Sequence, residues 1–184
     1  MRIVITGGMG CGKSTIVKYL RSRLSDHDVF DVDECVRDLY NDDIVQMMLD
    51  AEFDSHDRSV ISDIVFQSTE AKARLYAIMN ATVLNKLQIA AKNDRVIIDM
   101  PLYFEFQPQL HITVDHIICV SCSPATQLQR IRDRDGFTDE KISSILLQQL
   151  PLSEKERRAD FVVFTDTNVP YTTQLEKIFL KIGL

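Results

Sequence analysis

Residues 7–15 read Gly7-Gly8-Met9-Gly10-Cys11-Gly12-Lys13-Ser14-Thr15, directly after the apolar run Ile3-Val4-Ile5. An amphipathic stretch from Thr15 to Leu24 follows. Gly7, Gly12, Lys13 and Ser14 fit the spacing G-x-x-x-x-G-K-[ST], in which a glycine loop joins a strand to a helix. Without a Cβ in the way, successive backbone N–H groups turn inward around a phosphate. The helix that starts at Lys13 aims the positive end of its dipole at the same anion. The spacing therefore predicts a phosphate cradle over Gly8, Gly10, Cys11, Gly12, Lys13, Ser14 and Thr15. Lys13 is expected to reach the β and γ phosphates, and Ser14 to be a Mg²⁺ ligand. Backbone dipoles in such a loop also favour a Cys11 thiolate, so alkylation of Cys11 is expected to block nucleotide binding.

The rest of the chain alternates short apolar runs with helical patterns. Strands are expected at Ile3–Thr6, Val29-Phe30, Val96–Ile98, His116–Val120 and Phe161–Phe164. One helix is expected from Asp33 to Asp50, with Val36, Leu39, Tyr40, Ile44, Met47 and Met48 near helical spacing. A long helical region from about Arg58 to Lys92 reads as two or more pieces, and Pro101 to Gln109 as loop and short turns. Ser123-Pro124 starts a helix that Asp135-Gly136 ends; Thr138 caps another, to about Gln149. Pro170 to Lys181 closes the chain. Five strands alternating with helices predict an α/β fold, a parallel, doubly wound five-stranded sheet with helices on both faces, and the loop motif points to the P-loop NTPase kind.

The net charge of −6 puts the phosphate site in an unfavourable global field, so local cations must hold the ligand. With no basic tract, no nucleic-acid partner is expected. The N-terminal apolar run is too short for a signal peptide and no stretch is long enough for a bilayer, so no membrane partner and a cytoplasmic location are expected. The four cysteines, Cys11, Cys35, Cys119 and Cys122, then read as thiols. Cys119 and Cys122 have C-x-x-C spacing. A redox or metal pair is one reading; two small residues ending a buried strand is the one favoured, since no second pair completes a zinc site.

Several further stretches narrow the class. Thr6 to Thr15 resembles the opening of the dephospho-CoA kinases. So do Asp31-Val32-Asp33 with Arg37, Asp57-Arg58 with Val65-Phe66, and Pro101-Leu102 with Phe104-Glu105. Gln127-Leu128-Gln129-Arg130, Arg134-Asp135-Gly136, Gln149, Lys155 and Ala159-Asp160 complete a series whose order agrees over nearly the whole chain. The chain departs from the family in a shorter Asp38–Asp57 segment, in Asn80-Ala81 where the family has His-Pro, and in Thr165-Asp166 where it tends to have Asn.

The resemblance implies a single P-loop kinase domain over residues 1–184, with a helical acceptor-binding region at about 33–93 and a lid at about 127–150. It implies phosphorylation of the ribose 3′-hydroxyl of dephospho-CoA by ATP with Mg²⁺, in a monomer or weak homo-oligomer. The alternatives are a nucleoside or deoxynucleoside monophosphate kinase, or a non-catalytic nucleotide-binding module. Asp33 is the implied hydroxyl-orienting carboxylate; a helix cap is its other reading, and Asp31 is a rival for the role. Arg130 and Arg134, four apart, share one helix face; a solvated charged run is one reading, and the resemblance favours a lid whose arginines close over the transferring phosphate. Arg37, Arg58, Pro101 and Leu102 are expected at the acceptor. Asp99, at the end of its strand, is either a second magnesium ligand or a cap.

Overall fold

The computed structural model describes residues 1–184. Five strands form one sheet in the order β2-β3-β1-β4-β5: β1 Arg2–Gly7, β2 Asp28–Asp31, β3 Val96–Asp99, β4 His116–Ser121 and β5 Phe161–Phe164. β1 lies between β3 and β4 and pairs with both in parallel, Ile3 opposite Ile97 on one side and His116 on the other. β4 pairs β5 in parallel as well. Strands covered on both faces need continuous apolar sequence, and Ile3, Val4, Ile5 and Val96, Ile97, Ile98 are all buried.

The chain divides into two compact units, Met1–Val29 with Asn93–Leu184, and Phe30–Lys92. In the first, α1 (Lys13–Arg23) and α10 (Tyr171–Ile182) bring Ile16, Leu20, Leu175 and Phe179 into one core with Ile3, Ile5, Ile118, Val120 and Val163. This unit also carries α6 (Tyr103–Phe106), α7 (Pro124–Asp135), α8 (Asp139–Leu147) and α9 (Leu152–Arg158). α7 starts where Ser123 caps it with Pro124 behind, and ends at Gly136 in the left-handed conformation, φ 64°.

The second unit is helical: α2 (Val32–Asp38), a 3₁₀ turn at Leu39–Asn41, α3 (Asp43–Phe53), α4 (Arg58–Gln67) and α5 (Thr69–Ala90). Its core joins Leu39, Val45, Leu49, Phe53, Ile61, Leu75, Met79 and Val83. The i, i+4 series Leu75, Met79, Val83, Leu87 is the buried stripe of α5.

The single helix expected over Asp33–Asp50 is instead three pieces. Asp42 in extended conformation accepts from the N–H groups of Ile44 and Val45 and restarts the helix as α3, with Lys86 on its other carboxylate oxygen at 2.6 Å. The restart rotates the apolar face. Val45, Leu49 and Phe53 are buried, whereas Ile44, Met47 and Met48 are exposed. The turn-and-helix α9 after Pro151 was not expected at all.

Candidate active site

The phosphate loop is pressed against α7 and β4, and glycine is what permits it. A Cβ on Gly7 would lie 2.3 Å from the Val120 carbonyl oxygen. One on Gly10, which holds φ at +77°, would lie 2.8 Å from Ile131 Cγ1. Gln127, buried on α7, donates to the Met9 carbonyl at 2.8 Å and fixes the loop's outer bend. Gly12 caps α1 in the left-handed region at φ 87° with no side-chain cap bond, the form of helix start that suits an anion. Ser14 and Thr15 are exposed on the first turn.

Lys13 Nζ donates to Asp99 Oδ1 at the end of β3. Asp99 is buried, so its carboxylate is delivered to the phosphate loop by the core of the sheet. Arg130 reaches the other side of the same loop. Its Nη1 donates to Thr165 Oγ1 at 2.7 Å, and the Thr165 hydroxyl contacts the Cys11 carbonyl at 2.8 Å. Arg134 is not brought there: its guanidinium forks onto Asp135, with Nε and Nη2 at 2.9 and 2.8 Å. That fork draws the Asp135 carboxyl below the usual carboxylate range.

In the helical unit, Asp31 is the residue that caps α2, accepting from Glu34 N at 2.9 Å. Asp33 stands in the first turn beyond it, exposed and not spent as the cap, and Arg37 is exposed in the last turn. No ion pair joins Asp33 to Arg37. Arg58 opens α4 with its guanidinium 5.3 Å from the centre of the Tyr40 ring.

Pro101 and Leu102 follow Asp99 in a turn whose carbonyl is held twice. Thr6 Oγ1 donates to the Pro101 carbonyl at 3.0 Å and Lys155 Nζ at 2.9 Å. Lys155 is fully buried and pairs with Glu105 at 2.8 Å, and the same Glu105 oxygen accepts from Leu150 N. Tyr103 and Phe104 are buried in the core. A cavity of about 440 Å³ opens beside Gly8, between Gln127 of α7, Leu146 and Leu150 after it, and Leu152 and Glu156 of α9.

The sequence reading named neither Thr165 nor Lys155 as a functional residue by its chemistry. A buried lysine has no local signature, and a threonine ending a strand has none either.

Cys11 corrects an expectation. Its side chain is buried under the loop, 3.3 Å from the Cys122 sulfur, and burial pushes its thiol far above the usual range. The loop dipoles do not win because the sulfur points into the core. All four cysteines are free, and Cys119 and Cys122 are buried at the end of β4, Cys119 with a thiol raised by burial to about 12. A neutral alkylating reagent at pH 8 is therefore expected to label the half-buried Cys35 first and to spare Cys11 while the protein is folded. Mass spectrometry of a labelling time course reads this directly; fast native-state modification of Cys11 contradicts it.

A parallel sheet of this order, with a glycine loop between β1 and α1 and a lysine and serine opening α1, defines a P-loop nucleotide-binding protein of the kinase kind. The family model described as CoaE, dephospho-CoA kinase, matches residues 1–170. The dephospho-CoA kinase of Agrobacterium fabrum is 35% identical over 198 aligned positions, covering 100% of both chains. Among solved structures, a Thermus thermophilus protein superposes with a TM-score of 0.78 at 24% identity, covering 100% of this chain and 98% of that one. A dephospho-CoA kinase from Campylobacter jejuni superposes with 0.62 at 23%, covering 98% and 96%. The chain belongs to the dephospho-CoA kinase family.

Proposed function

We propose that this protein transfers the γ-phosphate of ATP to the ribose 3′-hydroxyl of dephospho-CoA, giving coenzyme A and ADP. The observation that carries the reading is the family match along residues 1–170, on a chain whose phosphate loop keeps its lysine against a buried aspartate. Phosphoryl transfer asks mainly for positioning and charge neutralisation. The loop amides and Lys13 hold the donor phosphates. Arg130 adds a guanidinium beside Gly12, and its planar fork suits phosphate oxygens.

Magnesium fits the donor set: it keeps several waters and needs only one or two protein oxygens beside the phosphates, which the exposed Ser14 hydroxyl and the Asp99 carboxylate supply. Ser14 and Asp99 would hold the metal, which would supply positive charge to offset that of the donor phosphates. Lys13 on Asp99 keeps that carboxylate neutralised before donor and metal arrive. The residues from Gln127 to Leu150 act as the lid, and closure excludes water and limits wasteful hydrolysis of ATP. Arg134 leaves Asp135 to join the phosphates on closure.

The helical unit Phe30–Lys92 serves as the acceptor-binding region of one kinase domain over residues 1–184. In it, Asp33 orients and deprotonates the acceptor hydroxyl, and Arg37 and Arg58 meet its anionic groups. Pro101 and Leu102, in the turn after β3, contact the same acceptor. No helix is long and apolar enough to cross a membrane. A cytoplasmic protein, monomeric or weakly self-associating, is the reading that accompanies this activity.

Two experiments test this. Mass spectrometry of the reaction with dephospho-CoA is expected to find one added phosphoryl group on the ribose-bearing fragment; a product phosphorylated elsewhere overturns the reading. Asp33→Asn keeps the shape and removes the base, so turnover is expected to fall by about 10²-fold or more with ATP affinity kept. Turnover near that of the unsubstituted protein removes Asp33 from the role.

A further inference from the structure

A hydrogen-bonded chain over the phosphate loop ties Arg130 to Thr165, a residue that none of these roles uses. Arg130 donates through Nη1 to Thr165 Oγ1 at 2.7 Å and through Nη2 to the Thr165 carbonyl at 3.2 Å. A hydroxyl has one proton to give. The nearer acceptor for it is the Cys11 carbonyl at 2.8 Å, with the Ser121 carbonyl further off at 3.4 Å. The Thr165 backbone is fixed independently, since its N–H donates to the Ser121 carbonyl at 3.0 Å. A Cβ built on Gly12 would find Thr165 Cγ2 at 3.5 Å and Arg130 Nη1 at 3.7 Å. The threonine therefore stands directly on the last glycine of the cradle, with the arginine behind it.

We infer that Thr165 is a positioning residue for the transfer, whose hydroxyl sets both the reach of Arg130 and the donor strength of the phosphate loop. The inference rests on the reading of residues 7–15 as the donor site. A long guanidinium side chain on α7 has many rotamers, and two bonds to one residue hold it in one of them beside Gly12. Threonine suits the task because its branched Cβ restricts the hydroxyl to few orientations.

The Cys11 carbonyl and the Gly12 N–H belong to one planar, conjugated peptide unit. A hydroxyl polarised by a guanidinium is a stronger donor than a hydroxyl alone, because bonds in a chain reinforce one another. Drawing charge towards the carbonyl oxygen makes the N–H at the other end of the peptide a better donor to phosphate. Negative charge on the phosphates shifts during transfer, so the benefit is felt in turnover as well as in ATP binding.

The test compares Thr165→Val, which keeps the shape and removes the hydroxyl, with Thr165→Ser, which restores it. ATP affinity is read by titration calorimetry without acceptor, and kcat and KM with dephospho-CoA. Thr165→Val is expected to weaken ATP binding several-fold and to lower kcat by about tenfold, with acceptor KM held within about twofold. Thr165→Ser is expected to recover most of both losses. The inference is overturned if Thr165→Val binds ATP like the unsubstituted protein, or if Thr165→Ser fails alongside it, which marks the methyl packing as the cause. If the unsubstituted protein binds ATP but turns over no dephospho-CoA, the proposed function fails, and the three ATP titrations still decide the role of Thr165.

Discussion

Lys13→Met is expected to lower turnover by roughly 10³-fold, the scale of removing a charge aimed at an oxyanion in a water-poor site. Lys13 is the cation at the first turn of α1, and it already lies against Asp99 at the end of β3. Methionine matches its length and apolar stem but cannot stabilise the charge that develops on the β and γ oxygens. The loss falls on kcat more than on the KM of the acceptor, because the interaction strengthens as charge moves during transfer. Steady-state kinetics with a cooperative melt as the folding control measure it. Turnover within tenfold of the unsubstituted protein contradicts the role.

Lys155→Met is expected to produce the largest loss of stability of any single substitution outside the apolar core. Lys155 is fully buried, and its ammonium holds the Glu105 carboxylate and the Pro101 carbonyl together. One Glu105 oxygen already lacks any partner, so removal of the cation leaves a buried carboxylate with little beyond the Leu150 N–H. Breaking one side of a buried ion pair costs about 3–5 kcal/mol. For a chain of this length that corresponds to a fall in Tm of about 6–20 °C. Adding Glu105→Gln removes the stranded charge, so the double variant is expected to melt above Lys155→Met alone. A single variant melting within about 2 °C of the unsubstituted protein contradicts the account.

The parts of the fold that were legible in the sequence are those fixed by local chemistry. The glycine loop, Ser123-Pro124, Thr138 and Gly136 all act on their own turn of chain, and each does so in the structure. The buried strands were legible because a sheet covered on both faces needs unbroken apolar runs. The Asp33–Asp50 region misled because apolar residues continue at helical spacing across Asp42, while the cap at Asp42 resets which of them faces inward. The helix Leu152–Arg158 is short and its sequence almost wholly charged, so no apolar stripe announces it. Its one signal was Pro151, with acidic Glu154 in the first turn and basic residues in the last.

The site divides in the same way. Lys13 and Ser14 are set by the loop spacing. Arg130 and Arg134 looked equivalent at four residues apart, yet only Arg130 meets a residue from β5's end, and Arg134 meets its own neighbour. That distinction depends on tertiary placement, as does the burial of Lys155. Cys11 differs from expectation for the same reason: the loop's field is local, but the sulfur is buried against Cys122, far away in sequence.

The most direct test of the central claim is ADP production by the purified protein with Mg²⁺-ATP, comparing dephospho-CoA with a panel of nucleoside monophosphates. Strong stimulation by dephospho-CoA and little by the monophosphates is the predicted result. Stimulation by a monophosphate in its place, or by nothing while ATP still binds, contradicts it.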